Sequence, residues 1–225
     1  MTKVWAICLA LSATPLWGGE VTSVDYAELA GHLPGLVDFE GFAPLPEPGQ
    51  PLPGLVHFHG VTLGSMLAGQ TRHVAEGFEM LTGHPSQPLA AQTGNKAAPI
   101  AVAFHAAFGS NAAFPIGPDG FERLSGRGEG ALAFVFEQAT PAFAIRLHAD
   151  YPDPLGTRPK PGRVTFSFFD QAGDVIGQHT LLPDHGVNEV AVLITPAAQA
   201  ITVTHRDPGG IAVDDIRFSI PGLVN

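Results

Sequence analysis

The segment "AFAIRLHA", residues 142–149, decides how this chain folds. Phe143, Ile145 and Leu147 alternate with Arg146 and His148, the period-two pattern of a strand with one apolar and one polar face. In "RVTFSFFD", residues 163–170, Val164, Phe166 and Phe168 repeat it. Moving outward, strands are also expected in "LVDFEGF" (36–42), "GLVHFHGVTL" (54–63), "GFEML" (77–81), "APIAVAFHAAF" (98–108) and "ALAFVFE" (131–137). Four more follow in "DVIGQHTLL" (174–182), "NEVAVLI" (188–194), "AITVTHR" (200–206) and "GIAVDDIRFSI" (210–220). "FDQAGD" (169–174) joins two of them as a hairpin turn with Gly173 at its tight position. Half-buried strands punctuated by 27 glycines and 21 prolines predict an all-β, two-sheet sandwich.

Helical periodicity is confined to "VTSVDYAELAGHL" (21–33), with Val24, Ala27 and Leu29 roughly on one side and a cap at Thr22 or Ser23. The stretch from Leu67 to Gly130 is less regular, and its segments "LTGHPSQPLAAQTGNKAAPI" (81–100) and "FGSNAAFPIGPDGFERLSGRGEG" (108–130) read as long loops, where binding surfaces usually lie. Ahead of all this, "MTKVWAICLALSATPLWGG" has a lysine, an apolar run and then small residues, which is how a secretory signal peptide reads. The expected organisation is therefore a signal peptide over residues 1–19, an N-terminal extension over 20–30 and one sandwich domain over 31–225. A secreted or periplasmic protein follows.

The single cysteine, Cys8, and both tryptophans, Trp5 and Trp17, would leave with the signal, so disulfides do not stabilise the exported body. Losing Lys3 takes the formal charge from −10 to −11, which argues against nucleic acid and anionic membranes as partners. No apolar run reaches the roughly 20 residues of a membrane helix, so no membrane span is expected.

"DPGGIAVDDIRF", residues 207–218, carries the one chemical conflict. Strict alternation puts Asp214 with Ala212, Ile216 and Phe218, and Asp215 with Val213 and Arg217. An ionised carboxylate among apolar side chains is costly unless a cation or hydrogen-bond donors compensate it. Asp214 therefore needs a partner, and Asp215 is expected to face solvent.

"VDFEGF", the Pro/Gly-rich loop after it, "GLVHFHGVTLG", "GRVTFSFFDQAGDVIG" and "ITVTHRDPGGIAVDDIRF", in that order, resemble exported bacterial jelly-roll domains of the galactose-binding-like class. Such domains often accompany PEP-CTERM sorting tails. The ending "FSIPGLVN" has no such tail, so release or non-covalent retention is expected. The resemblance implies a jelly-roll β-sandwich and a structural calcium held by an acid of the first strand and an aspartate of the last. These are Glu40 and Asp214 here. Calcium takes six to eight oxygens, so backbone carbonyls or another acid, such as Asp38 or Asp207, would complete the shell. A metal-free site with a hydrogen-bonded or Arg-paired Asp214 is the alternative.

Glycan binding also follows from that class, although the exported chain lacks the tryptophans that commonly stack on sugars. Tyr151, in the loop "ADYPDPLGTRP" (149–159), is the best platform. The alternative function is a metal-dependent, cupin-like extracellular enzyme, because His57 and His59 in "VHFHG" share a strand face and their spacing is similar to cupin sites. The glutamate a cupin needs nearby is missing. Ser110 in "FGSNA" lacks the G-x-S-x-G elbow of a hydrolase, and "GRGEG" (126–130) precedes a β-like run rather than the helix of a phosphate loop. The expectation is a non-enzymatic exported module that binds calcium structurally and an extracellular glycan or protein.

Overall fold

The computed structural model describes residues 18–94, 96–149 and 160–220. The chain runs β1 (Glu20–Ser23), α1 (Tyr26–Ala30), β2 (Gly35–Val37), β3 (Gln50–Leu52), β4 (Val56–Phe58), β5 (Val61–Gly64), β6 (Met66–Leu67), β7 (Thr71–Ala75) and β8 (Phe78–Thr82). It continues with β9 (Ala91–Gln92), β10 (Ile100–His105), β11 (Ser110–Pro115), β12 (Leu132–Ala149), β13 (Val164–Phe169), β14 (Val175–Leu181), β15 (Gly186–His205) and β16 (Ala212–Phe218).

The fold is an all-β sandwich, and its two layers form one continuous antiparallel ladder. "ALAFVFE" and "AFAIRLHA" are two halves of β12, and "NEVAVLI" and "AITVTHR" are two halves of β15. The pairing of β12 with β15 shifts register between Val135, Thr140 and Ala142, where both strands turn the corner between layers. The first layer holds β3, β10, β11, β16, the second half of β12, the first half of β15 and β1. In the second, β4 and β5 lie beside the first half of β12, and β13 and β14 beside the second half of β15.

Alternation fills the space between the layers with the apolar residues read from the sequence. Phe143, Ile145 and Leu147 of the first layer meet Phe134, Phe166 and Phe168 of the second, all essentially buried. Ring centroids lie 5.9 Å apart for Phe134–Phe143 and 5.1 Å for Phe136–Phe218, within the range of favourable aromatic pairs. The turn at Gly173 forms as expected: it has φ 81° and donates its amide to the Asp170 carbonyl.

Three expectations change. The N-terminal segment pairs as β1 with β15, and the helix is only five residues long, capped by Asp25 rather than Thr22 or Ser23. Asp25 accepts the Glu28 amide, and α1 lays Leu29 and Ala30 on Ala142, Ala144 and Ala191, the small residues of the outer face. Residues 110–115, assigned to a loop, form β11, an alanine-rich strand whose apolar signal is weak. "GRGEG", expected within a long loop, is tightly packed: a Cβ on Gly130 or Gly126 would collide with the Ile116 or Gly120 carbonyl oxygen. Its glycines permit close backbone packing. Among the described residues no helix is long and apolar enough to cross a membrane.

Candidate functional site

Asp214 sits where the edge of β16 changes partner. Val213 pairs with Ala113 of β11, and Ile216 to Phe218 pair with β2, so β11 and β2 lie end to end along one side of β16. Between them Asp215 takes φ 48°, and the pairing with β12 slips by one residue between Ala144 and Arg146. This β-bulge inverts the alternation. Val213 and Ile216 both enter the core, which corrects the expected grouping of Asp214 with Ile216 and Phe218. Asp214 instead shares the outer face with Ala212, beside Ser110 of β11.

Ser110 Oγ donates to Asp214 Oδ2 at 2.6 Å. Oδ1 is buried and accepts no hydrogen bond among the described residues. The residue is only 4% exposed. Burial pushes its carboxyl up to about 6; the charges of Asp215 and Glu40 add to the rise, while Ser110 and the Asp215 amide oppose it. Asp214 is thus held in place yet poorly compensated.

Glu40 reaches the same strand junction. Phe39 has φ 56°, a strained conformation for a bulky residue, and is clamped by full burial, an edge contact with Phe58 and a hydrogen bond from Asn111 Nδ2 to its carbonyl. The next residue, Glu40, accepts the Asn111 backbone amide on Oε1 at 2.7 Å, a donor that β16 no longer engages. Glu40 and Asp214 are therefore brought to one junction, near enough for one charge to act on the other. Of the accessory acids, Asp38 stays local, accepting the Glu40 amide. Asp207 is elsewhere: its carboxylate accepts the Gly162 and Gly209 amides. Asp215 is also not the solvent-facing residue expected. Tyr26 OH donates to its Oδ2 at 2.7 Å and Arg217 Nε to its Oδ1 at 2.8 Å.

The outer face continues away from Asp214 into a histidine cluster that alternation alone did not reveal. His105 lies opposite Ser110 across the β10–β11 hairpin, and Arg146 and His148 lie opposite Asp214 and Ala212. The His105 and His148 ring centroids are 4.3 Å apart, with Phe108 against both and Arg146 over the Phe108 ring. Burial, together with His148, lowers His105 to about 4. The Ala107 amide donates to Nδ1, so the only lone pair of the neutral ring is occupied. His105 has no basic nitrogen to offer Ser110, whose proton goes to Asp214. Serine, histidine and aspartate meet here in a wiring that does not activate a nucleophile. Alternation sets Arg146 and His148 opposite the apolar face of β12, and Ser110 and His105 join them through strand register, which is visible only once β11 is recognised as a strand.

His57 lies on β4 and His59 in the turn to β5; both are exposed, and His57 Nδ1 is 3.0 Å from Thr62 Oγ1. Among the described residues no three His, Cys, Asp or Glu side chains group so as to hold a metal ion. Tyr151 and the signal segment 1–17 lie outside the described residues. In comparisons with known proteins, the chain matches no family model, no curated protein and no solved structure.

Proposed function

We propose that this protein is an exported, non-enzymatic β-sandwich module that takes calcium as a structural ion at Asp214 and Glu40 and presents polar sheet faces to an extracellular glycan. The carrying observation is Asp214 Oδ1, a carboxylate oxygen without a donor among the described residues, at a strand junction that also receives Glu40. A hard cation would neutralise both carboxylates and accept the orphan oxygen as a ligand, with backbone carbonyls completing the shell. Bound there, it would fasten the β2 turn to the ends of β11 and β16, where the ladder is interrupted. The apolar N-terminal segment supports export to the periplasm or beyond, and the formal charge of −10 supports a cation or neutral ligand over nucleic acid. The blocked Ser110–His105 pair supports binding over hydrolysis. The test is the melting temperature in calcium against chelator: a rise with calcium that Asp214→Asn removes supports the proposal, and identical curves refute it.

A further inference from the structure

A second polar face lies on the outer side of the second layer. β13 and β15 pair Val164 with His205 and Thr165 with Thr204, and the Arg206 amide donates to the Arg163 carbonyl at 2.9 Å. In this register Arg163 stands directly opposite Arg206, on the same face as Thr165 and Thr204. With Met80 of β8, these residues line an open cleft of about 640 Å³. That volume is typical of small-ligand sites.

Two like charges facing each other across a sheet are unfavourable unless something neutralises them. Glu76 does so for one: Arg206 Nη1 lies 2.8 Å from its Oε2, in a solvent-exposed pair. The Arg163 guanidinium, also exposed, has no hydrogen bond or ion pair among the described residues. The chain has only 11 lysines and arginines against 21 acids. Two of those few cations are spent side by side in one cleft.

From this we infer that the Arg163–Arg206 cleft binds the carboxylate of an acidic sugar, a uronate residue of an extracellular glycan. The planar guanidinium fork of Arg163 matches a carboxylate bidentately, and a compact ammonium would not. Thr165 and Thr204, paired on the same face, add hydroxyls that can hydrogen-bond the sugar's own. Thr165 is already oriented by its 3.2 Å contact with Thr180 Oγ1. Met80 offers an apolar surface for the ring's C–H groups. The inference rests on the glycan-binding reading and narrows it to a charged glycan at a named cleft.

The experiment is calorimetric titration of the full exported chain with digalacturonate, with neutral galactobiose and with inorganic sulfate. Digalacturonate is expected to bind more than tenfold tighter than galactobiose, with affinity falling as salt is raised. Arg163→Gln should lose at least tenfold without moving the melting temperature, Arg163→Lys should recover part of the loss, and Glu76→Gln, by releasing Arg206, should tighten binding a few-fold. Equal binding of both sugars, indifferent to Arg163→Gln, overturns the cleft and preserves the glycan reading. Sulfate binding as tightly as digalacturonate overturns the sugar and leaves a simple anion site. No binding by either sugar overturns the cleft assignment and counts against the glycan reading, while the calcium response of Asp214 is tested separately.

Discussion

Replacing Asp214 by Asn should change stability in opposite directions with and without calcium. The Asp214 carboxyl is raised from 3.8 to about 6 in the folded chain. A raised carboxyl favours the folded state fully below pH 3.8, and this contribution is lost as pH climbs through about 6. At pH 7.5 in chelator the ionised side chain is therefore a burden. The rise from 3.8 to about 6 corresponds to roughly 3 kcal/mol, which solvent screening at the sheet edge reduces to about 1–2 kcal/mol. Asp214→Asn removes that burden, so the metal-free variant should melt about 2–8 °C above the parent. In calcium the order reverses. A site filled at 100 times its dissociation constant gains about 2.7 kcal/mol, roughly 5–10 °C for a domain of this size, and the variant, lacking the charge, gains almost none. Differential scanning calorimetry at pH 7.5 and pH 4.5, with calcium and with chelator, gives the four values needed. At pH 4.5, between the two pKa values, the Asp214→Asn advantage in chelator should shrink to roughly a third to a half of its size at pH 7.5. If calcium moves neither protein, the calcium proposal fails; if the variant is less stable than the parent in chelator at pH 7.5, the account of Asp214 as an uncompensated carboxylate fails.

Glu129, only 8% exposed, is pushed up to about 8 by burial and by the charges of Asp207 and Asp119. Its contribution is present below pH 4.5 and lost as pH rises through about 8, so Glu129→Gln should raise the melting temperature at pH 9 and leave it nearly unchanged at pH 4.5. Tyr26→Phe removes the hydroxyl that reaches Asp215 from α1 and should cost about 1–2 kcal/mol in urea unfolding, whereas Tyr26→Leu should cost more by also stripping ring packing from the helix seat. Gly130→Ala should cost about 1–3 kcal/mol through collision with the Ile116 carbonyl, while Gly31→Ala, with open space around it, should be neutral within about half a kcal/mol.

Strand alternation exposed most of the fold because each inner face is a run of Phe, Ile, Leu or Val with polar residues between them. It failed where that contrast fades. β11 presents Ala112 and Ala113 as its central residues, and two adjacent alanines carry no face preference, so the strand that seats Ser110 and Asn111 passed for a loop. That miss then hid the histidine cluster, because His105 finds Ser110 only across the β10–β11 hairpin. The corners of β12 and β15 read as breaks between strands, since Glu137, Gln138 and Pro141, like Pro196, interrupt the apolar rhythm although the ladder continues around them.

The conflict at Asp214 was legible as chemistry and misread as geometry. Alternation correctly flagged a carboxylate that needed a partner, but assigned it to the wrong face because a bulge adds one residue that no periodic rule counts. Asp215 absorbs that extra residue at φ 48° and is held there by Tyr26 and Arg217, so the second aspartate of "DD" fixes the bulge that turns the first one outward. The two neighbours therefore do different work: Asp215, paired and half-buried, sets the geometry, and Asp214, buried and with a free oxygen, is the residue with chemistry left to do. A sequence that places two aspartates in the middle of an apolar strand is thereby explained without both of them needing a ligand.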